Sequence, residues 1–412
     1  MQKKTFYTTI IILLILLGGG AWYIFSSSGT PKTSDQGPAS GTNLFPFGQG
    51  SSGSSSAAGS GSTSTSTTTV IDLGQLGAAA PRLRQVSNVP TAGAVVFDLG
   101  SSTLIRYVER ATGHIYETLS DSTSANQVSN VTIPKVTQAI WSANAHNVIL
   151  RYLDSDNQTI RTFAASVSTS SIDTAVQGGY LPNDIQDVSA SSSKMFYLSE
   201  DMTGAQGIRA NIDGSSKTDI FDSSFGNWTS VWTSNDILLY PKPTAALQGT
   251  TYILNPTTGA MTEILAGLPG LSGLLSSDEK YMLYSGTTNG SFGARIYDIK
   301  NATSQDLGVN TLAEKCVWSR IGKTIVYCAV PESPMAATYP DDWYKGKVSF
   351  ADSLWKIDVS TGTTVDVFDS ALQVGIPMDM INLSLDAKEN VLLFTNKDDL
   401  TVWRYDLVTQ AQ

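Results

Sequence analysis

The sequence predicts an all-β fold, a seven-bladed β-propeller, and three observations lead to it. A short apolar strand that ends in an aromatic residue recurs through residues 104–394. A second strand and a polar turn precede this strand, and a segment ahead of the repeats matches the strand that the last repeat lacks. Strand repeats of this length are typical of propeller blades.

The recurring strand ends at seven aromatic positions with nearly constant spacing. Successive steps are 45, 45, 43, 44, 43 and 67 residues, so five intervals share one period and the last contains an insertion. Six blades remain the alternative, because the turn at residues 111–113 resembles a third-to-fourth-strand turn but follows the second strand. The seven segments are Leu104–Tyr107, Val148–Tyr152, Lys194–Tyr197, Asp236–Tyr240, Lys280–Tyr284, Thr324–Tyr327 and Val391–Phe394.

Each repeat unit supplies enough strands for one blade. In three units Trp141, Trp232 or Trp318 is followed by Ser or Thr, a polar turn and the recurring strand, which predicts an antiparallel hairpin. Third strands end in Asn or Asp and a Thr-Gly turn at residues 255–259 and 358–362, where Gly supplies positive φ. A fourth strand follows each turn, and four strands per blade is the propeller count.

The last repeat is completed from the N-terminal side. Only five residues follow Leu407, too few for a fourth strand. The segment Gln85–Val89 (QVSNV) recurs as Gln127–Val131, where it is expected to be the outer strand of the first blade. We therefore predict that residues 82–90 close the ring, which removes two exposed sheet edges.

Two turns carry a resemblance to a known repeat. Ser276-Ser277-Asp278-Glu279-Lys280 and Ser384-Leu385-Asp386-Ala387-Lys388 resemble the W-S-x-D-G-K turn of TolB-like and WD40-like propeller repeats. The resemblance extends over all seven units in degenerate form and concerns fold more than activity. It implies an interaction scaffold at a cell envelope.

The N-terminal region has two other compositions. Residues 6–25 carry no charge and are long enough to span a bilayer once, after a short N-terminus at residues 1–5 with Lys3 and Lys4. The positive-inside rule then places the N-terminus in the cytoplasm and the repeats outside. The alternative is a cleaved signal peptide, which would make the protein secreted. Residues 26–81 are rich in Ser, Gly and Thr and are expected to be a disordered linker before the propeller at 82–408 and a tail at 409–412.

Charge excludes one class of partner. The net charge is −10, and no basic run occurs outside the N-terminus. Because phosphate binding needs clustered Lys and Arg, nucleic acid is not an expected partner.

The two cysteines, Cys316 and Cys328, fall on adjacent strands of one predicted hairpin. With a three-residue turn they face each other across the strands; with two or four residues they point to opposite faces. An exported protein can hold a disulfide here. A disulfide and two reduced core thiols both remain open.

The insertion in the sixth unit is the candidate site. Residues 331–350 lie between the second and third strands and contain Tyr339, Asp341, Asp342, Trp343 and Tyr344. Loops on rigid scaffolds carry function, and Tyr and Trp are favoured interface anchors. These residues are therefore predicted to bind a partner, with packing on the ring as the alternative.

No catalytic residues, metal or cofactor are predicted. The sequence lacks the helix, elbow and phosphate-loop motifs of common enzymes, and its adjacent carboxylates are too sparse for calcium. A carboxylate pair assembled from distant blades would escape such a search. The expected function is a membrane-anchored protein-interaction scaffold, with a glycan-binding or glycan-active propeller and a purely structural surface protein as alternatives.

Overall fold

A computed structural model of the chain describes residues 81–168, 176–288, 291–333 and 337–408. The predicted membrane segment at residues 6–25, the linker up to residue 80 and the tail lie outside these ranges. Within the described ranges, no helix has the length and apolar character needed to cross a bilayer.

The described chain forms seven four-stranded antiparallel sheets. Blade 1 consists of β2 (Thr91–Leu99), β3 (Ser102–Glu109), β4 (Ile115–Leu119) and β5 (Asn126–Gln127), and blade 2 of β6 (Val136–Trp141), β7 (Asn147–Leu153), β8 (Ile160–Val167) and β9 (Val176–Tyr180). Blade 3 consists of β10 (Ile185–Ala190), β11 (Lys194–Asp201), β12 (Gly204–Asn211) and β13 (Thr218–Ser223), and blade 4 of β14 (Trp228–Trp232), β15 (Ile237–Pro241), β16 (Gln248–Leu254) and β17 (Met261–Pro269). Blade 5 consists of β18 (Ser272–Leu275), β19 (Tyr281–Thr288), β20 (Ser291–Asp298) and β21 (Thr303–Asp306), and blade 6 of β22 (Cys316–Trp318), β23 (Ile325–Pro331), β24 (Asp352–Asp358) and β25 (Thr363–Asp369). Blade 7 consists of β26 (Met380–Leu385), β27 (Val391–Asn396), β28 (Val402–Asp406) and, as its outer strand, β1 (Leu83–Gln85).

The blades stand in a ring with their first strands innermost. First strands contact each other along blades 1 to 4, between blades 6 and 7, and between β26 of blade 7 and β2 of blade 1, while β18 of blade 5 contacts β15 of blade 4. The second strands are covered on both faces by adjacent blades, which explains their uninterrupted apolar sequences: Ile237 to Tyr240, for example, are fully buried. The predicted seven-bladed propeller is therefore confirmed, and the six-bladed alternative is excluded.

The ring closes as the sequence predicts. β1 pairs antiparallel with β28, with Leu83 opposite Tyr405. The backbone nitrogens of Val86 and Ser87 extend the pairing by donating to the carbonyl of Val402. Gln127, in the matching copy of this segment, lies in the outer strand of blade 1. Blade 7 is thus built from both ends of the repeat region.

Two faces of the ring carry different connections. We call one side of the ring the loop face; it carries the connections from the second to the third strand of each blade and the connections between blades. We call the opposite side the turn face; it carries the turns from the first to the second and from the third to the fourth strand. The insertion of blade 6 lies between β23 and β24, hence on the loop face, and residues 110–114 form the corresponding turn of blade 1. The chain enters the ring on the turn face, where the carbonyl of Arg82 accepts a hydrogen bond from Asp406.

Cys316 and Cys328 lie directly opposite each other on β22 and β23 and are joined by a disulfide. Their pairing corresponds to the register of a three-residue turn. Both cysteines belong to the core between blades 5 and 6, packed with Leu283 and Ile357.

Helical turns occur in connections where the sequence analysis predicted none. A 3-10 turn (Ala313–Lys315) leads into β22, helix α1 (Asp341–Tyr344) lies in the blade 6 insertion, and helix α2 (Ser370–Val374) follows β25. Asp369 caps α2 by accepting a hydrogen bond from the Leu372 nitrogen at 2.8 Å, and Gly375 ends it at a φ of 71°. These short turns position the site residues.

Candidate functional site

The blade 6 loop, residues 332–351, crosses the loop face and turns its aromatic side chains inward. Residues 334–336 of this loop lie outside the described residues. Trp343 is 5% exposed and stacks on Phe350, with ring centroids 6.2 Å apart. Tyr339 lies between Phe292 of blade 5 and Phe350. Two of the predicted anchors thus pack on the ring.

A buried ion cluster lies beneath the loop. It consists of Lys315, Asp352 and Asp379, whose side chains are fully buried. The Lys315 ammonium lies 2.7 Å from Asp352 and also bonds to Asp379. Since a buried charge is costly unless it is paired and hydrogen-bonded, the three groups depend on one another.

Asp379 also holds the blade 6 loop. Its second carboxylate oxygen accepts hydrogen bonds from the indole nitrogen of Trp343 at 2.8 Å and from the backbone nitrogen of Phe350 at 3.3 Å. From blade 7, Lys397 donates to the carbonyl of Trp343 at 3.0 Å, and its ammonium lies 4.6 Å from the centre of the indole ring. The loop is therefore fastened to blades 6 and 7 at one tryptophan.

Tyr344 is fastened beside the cluster. Its hydroxyl donates a hydrogen bond to Glu314 in the turn that carries Lys315. Burial and the neighbouring Glu314 carboxylate raise the pKa of Tyr344, and burial raises the pKa of Glu314. Tyr344 therefore stays a neutral donor at physiological pH.

The two predicted aspartates have separate structural partners. Asp341 accepts from the Ala245 nitrogen at 2.7 Å and the Thr244 hydroxyl at 2.9 Å, both in blade 4. Burial raises the pKa of Asp341, but these hydrogen bonds outweigh it and leave that pKa below its usual value. Asp342 accepts from the Thr338 nitrogen and from Lys347 within the loop. The loop thus bridges blades 4 and 7, and its role in partner binding stays a prediction.

An apolar groove opens on blade 4 beside the Asp341 contact. Its volume is about 380 Å³, and Thr244 forms part of its wall. Trp228 lies at its centre in edge contacts with Phe221, Phe225 and Tyr252 and donates its indole hydrogen to the Phe225 carbonyl at 2.8 Å. Other lining residues are Pro241, Lys242, Pro243 and Leu247.

The rim of the groove leaves large apolar side chains in solvent. Phe225 is 47% and Leu247 63% exposed, and Met202 in the adjacent turn of blade 3 is fully exposed. The Asn227 nitrogen bonds to Glu200, which places the turn of blade 3 next to this rim. Clustered exposed apolar residues of this kind mark interaction sites.

Sequence reasoning missed both the groove and the ion cluster. The three residues of the cluster come from separate segments, the 3-10 turn before β22, the start of β24 and the connection before β26, so no local motif contains them. One available signal was Glu314-Lys315 within the apolar run from Leu312 to Trp318. Among the described residues, no group of three or more His, Cys, Asp or Glu is placed to hold a metal ion.

The buried Asp352 carboxyl gives a prediction of pH dependence. Burial, with a smaller contribution from Asp379, raises the pKa of Asp352 from 3.8 to about 6 although Lys315 opposes the shift. The folded state therefore binds this proton more tightly than the unfolded state. Its contribution to the free energy of unfolding is complete below about pH 4 and is lost as the pH rises through 6, at most about 3 kcal/mol.

Urea unfolding at pH 4, 5, 6 and 7 measures this contribution. The difference in unfolding free energy between the wild type and Asp352→Asn should fall over this range. Asp358→Asn is the control, because hydrogen bonds from Ser360 lower the pKa of Asp358 and its contribution is lost only below about pH 4, so its difference should stay nearly constant over this range. A difference for Asp352→Asn that rises with pH would contradict the assignment.

Comparison with solved structures places the fold among β-propellers. The chain is similar to TolB from Acinetobacter baumannii, with a TM-score of 0.43 and 13% identity over 63% of this chain and 62% of that one. It is similar to an oligogalacturonate lyase from Vibrio parahaemolyticus, with a TM-score of 0.53 and 11% identity over 80% and 92% of the two chains. It is also similar to the WD40 domain of Neurospora crassa Pan2, with a TM-score of 0.51 and 11% identity over 81% and 98%.

These likenesses concern the fold alone. The chain spans less than two thirds of the TolB structure that it matches. No protein-family model matches the sequence, and the search of curated proteins finds no match. The WD40 domain, with a TM-score above 0.5, is of a type that the repeats resemble, and the propeller fold is confirmed at that level.

Proposed function

We propose that the protein is an interaction scaffold that binds a partner protein through its loop face, with the blade 4 groove as the main contact. The main observation that supports this proposal is the groove itself. A volume of about 380 Å³ accommodates one or two apolar side chains of a partner, and its aromatic lining is held rigidly by Trp228. Aromatic residues in such pockets dominate binding energies at protein interfaces.

The charge of the groove specifies the partner further. Lys242 is the one charged residue in its lining and is solvent-exposed. Among the described residues, no carboxylate forms an ion pair with Lys242. The proposed ligand is therefore a protein segment with an aromatic or aliphatic anchor and an acidic residue beside it.

The proposal includes a single-pass anchor at residues 6–25, with the propeller outside the cytoplasm. It is supported by the uncharged segment and by the lysines that precede it. The ring receives the chain on its turn face, beside Asp406. Protease added to cells whose outer envelope is permeabilised and whose cytoplasmic membrane is intact should degrade the propeller, and protection in these cells would contradict this location.

Variants of the groove test the proposal. The wild-type chain is used to capture a partner from envelope extract, and the purified partner is then titrated against Phe225→Ser and Leu247→Ser. Each loses an apolar anchor, so we expect at least a ten-fold weaker Kd. Ile321→Ser, a matched exposed residue on the turn face, should bind as the wild type does. Equal binding by all variants, or elution by a glycan without any protein partner, would overturn the proposal.

A further inference from the structure

A second cavity lies on the loop face, between the first strands of blades 7, 1 and 2. Its volume is about 340 Å³, and its lining is mainly polar side chains and bare backbone. Thr91 and Gly93 come from blade 1, Gln138 from blade 2, and Asn382 and Thr395 from blade 7. The blade 4 groove shares none of these residues.

Three β-bulges converge on this cavity. The strand registers shift between Thr91 and Gly93, between Val136 and Gln138, and between Ile381 and Ser384. The residues that the shifts leave unpaired include Ala92, Thr137 and Asn382, and all three line the cavity. Asn382 adopts a left-handed φ of 54°. Bulges change the direction of side chains and are over-represented next to functional sites. Three bulges at one cavity therefore indicate a functional site.

Close packing of the inner strands keeps one wall free of side chains. A Cβ atom at Gly93 would lie 2.1 Å from the carbonyl oxygen of Ala139. Because only glycine fits at this position, backbone rather than a side chain faces the cavity.

Arg110 supplies the charge of the cavity. Its backbone is fixed on both sides, since its nitrogen donates to the Pro90 carbonyl and its carbonyl accepts from Val136, each at 3.0 Å. Among the described residues, its guanidinium has neither an ion pair nor a hydrogen-bond partner. Arg110 is half-buried in a protein that carries more acidic than basic residues.

The acidic groups near this cavity have other partners. Glu109 accepts from the Thr112 hydroxyl, Asp398 from Ser349, and Asp399 from Thr401. No carboxylate lines the cavity. No carboxylate inside the cavity therefore competes with a ligand for the Arg110 guanidinium.

We propose that this cavity binds a carboxylate group, with Arg110 as the cationic ligand and the side-chain amides of Gln138 and Asn382 as further donors. A guanidinium matches a carboxylate through two parallel hydrogen bonds, which are stronger than neutral ones. The Gln138 amide oxygen already accepts from Arg151 at 3.1 Å, and this fixes the oxygen and leaves the amide nitrogen to donate. The carboxylate belongs to an acidic peptide residue or to a sugar acid. This inference does not depend on the protein partner proposed above.

Ligand-observed NMR on the full-length chain tests it. The α-amide of N-acetyl-L-glutamate and D-glucuronate are titrated as the two carboxylate probes, and the α-amide of N-acetyl-L-glutamine serves as the neutral analogue. At least one acid should bind about ten-fold more tightly than the neutral analogue, since a charged hydrogen bond is lost with the amide. Binding of glutamate alone assigns the site to peptide carboxylates, and binding of glucuronate alone assigns it to sugar acids.

Variants decide whether Arg110 is responsible. Arg110→Gln should weaken the binding of the acid at least ten-fold, and Arg110→Lys should weaken it less. Asn382→Ala should also weaken the binding, although it leaves the charge of the cavity unchanged. Arg320→Gln removes the same charge from an exposed position and should bind as the wild type does. Absence of binding by both acids in the wild type, or unchanged binding by Arg110→Gln, would overturn the proposal.

Discussion

Replacing Asp379 by alanine is expected to lower the free energy of unfolding by about 3–5 kcal/mol, because it breaks a buried ion cluster from one side. Lys315 would keep its charge in a fully buried position with Asp352 as its remaining partner. The indole nitrogen of Trp343 would lose its acceptor as well. Denaturant unfolding of the two proteins measures the loss.

A second consequence concerns the loop. Without Asp379, the blade 6 loop loses its contacts at Trp343 and Phe350, so trypsin should cleave at Lys345 and Lys347 faster than in the wild type. Asp342→Ala is the matched control, since Asp342 pairs with Lys347 at the surface and such pairs contribute about 1 kcal/mol or less. If Asp379→Ala lowers the free energy of unfolding by no more than Asp342→Ala does, the proposed role of the cluster is refuted.

Removal of the closing strand should have an effect of similar size. A chain that lacks residues 81–87 leaves blade 7 with three strands and exposes the edge of β28. It loses the buried side chain of Leu83 and the cover that β1 provides for Tyr405, which is 1% exposed in the closed ring. We expect the unfolding free energy to fall by at least about 4 kcal/mol and the protein to self-associate through the free edge.

A point substitution separates closure from chain length. Leu83→Ala keeps the strand and should cost about 2–4 kcal/mol, whereas Leu119→Ala at a half-exposed position should change stability by less than about 1 kcal/mol. Light scattering reports the association. A truncated chain that stays monomeric and as stable as the wild type would show that β1 does not close the ring.

The fold could be predicted because propeller blades repeat. Each second strand must be apolar on both faces, so the aromatic-ended strands recur with one period, and the shared sequence of residues 85–89 and 127–131 identifies the closing strand. A disulfide between Cys316 and Cys328 could be predicted as one of two possibilities because both cysteines lie in one hairpin, whose register places them opposite each other. These are short-range regularities, and a sequence displays them directly.

The sites could not be predicted in the same way. Lys315, Asp352 and Asp379 come from three separate segments of the chain, and their contact depends on how blades 6 and 7 pack. Trp343 looked like an exposed anchor because its loop is long and polar, but Asp379 draws it inward. The blade 4 groove combines Phe225 and Trp228, at the start of the blade, with Leu247 from the loop between β15 and β16, and no single segment is apolar enough to reveal it.

Photo-crosslinking in cells tests the central claim most directly. A photoreactive amino acid is placed at Leu247 in the groove or at Ile321 on the turn face, which are 63% and 66% exposed. We expect one discrete protein adduct from position 247, which disappears when Phe225 is also changed to serine, and none from position 321. Adducts from position 321 alone, or the same adducts from both positions, would contradict binding through the loop face.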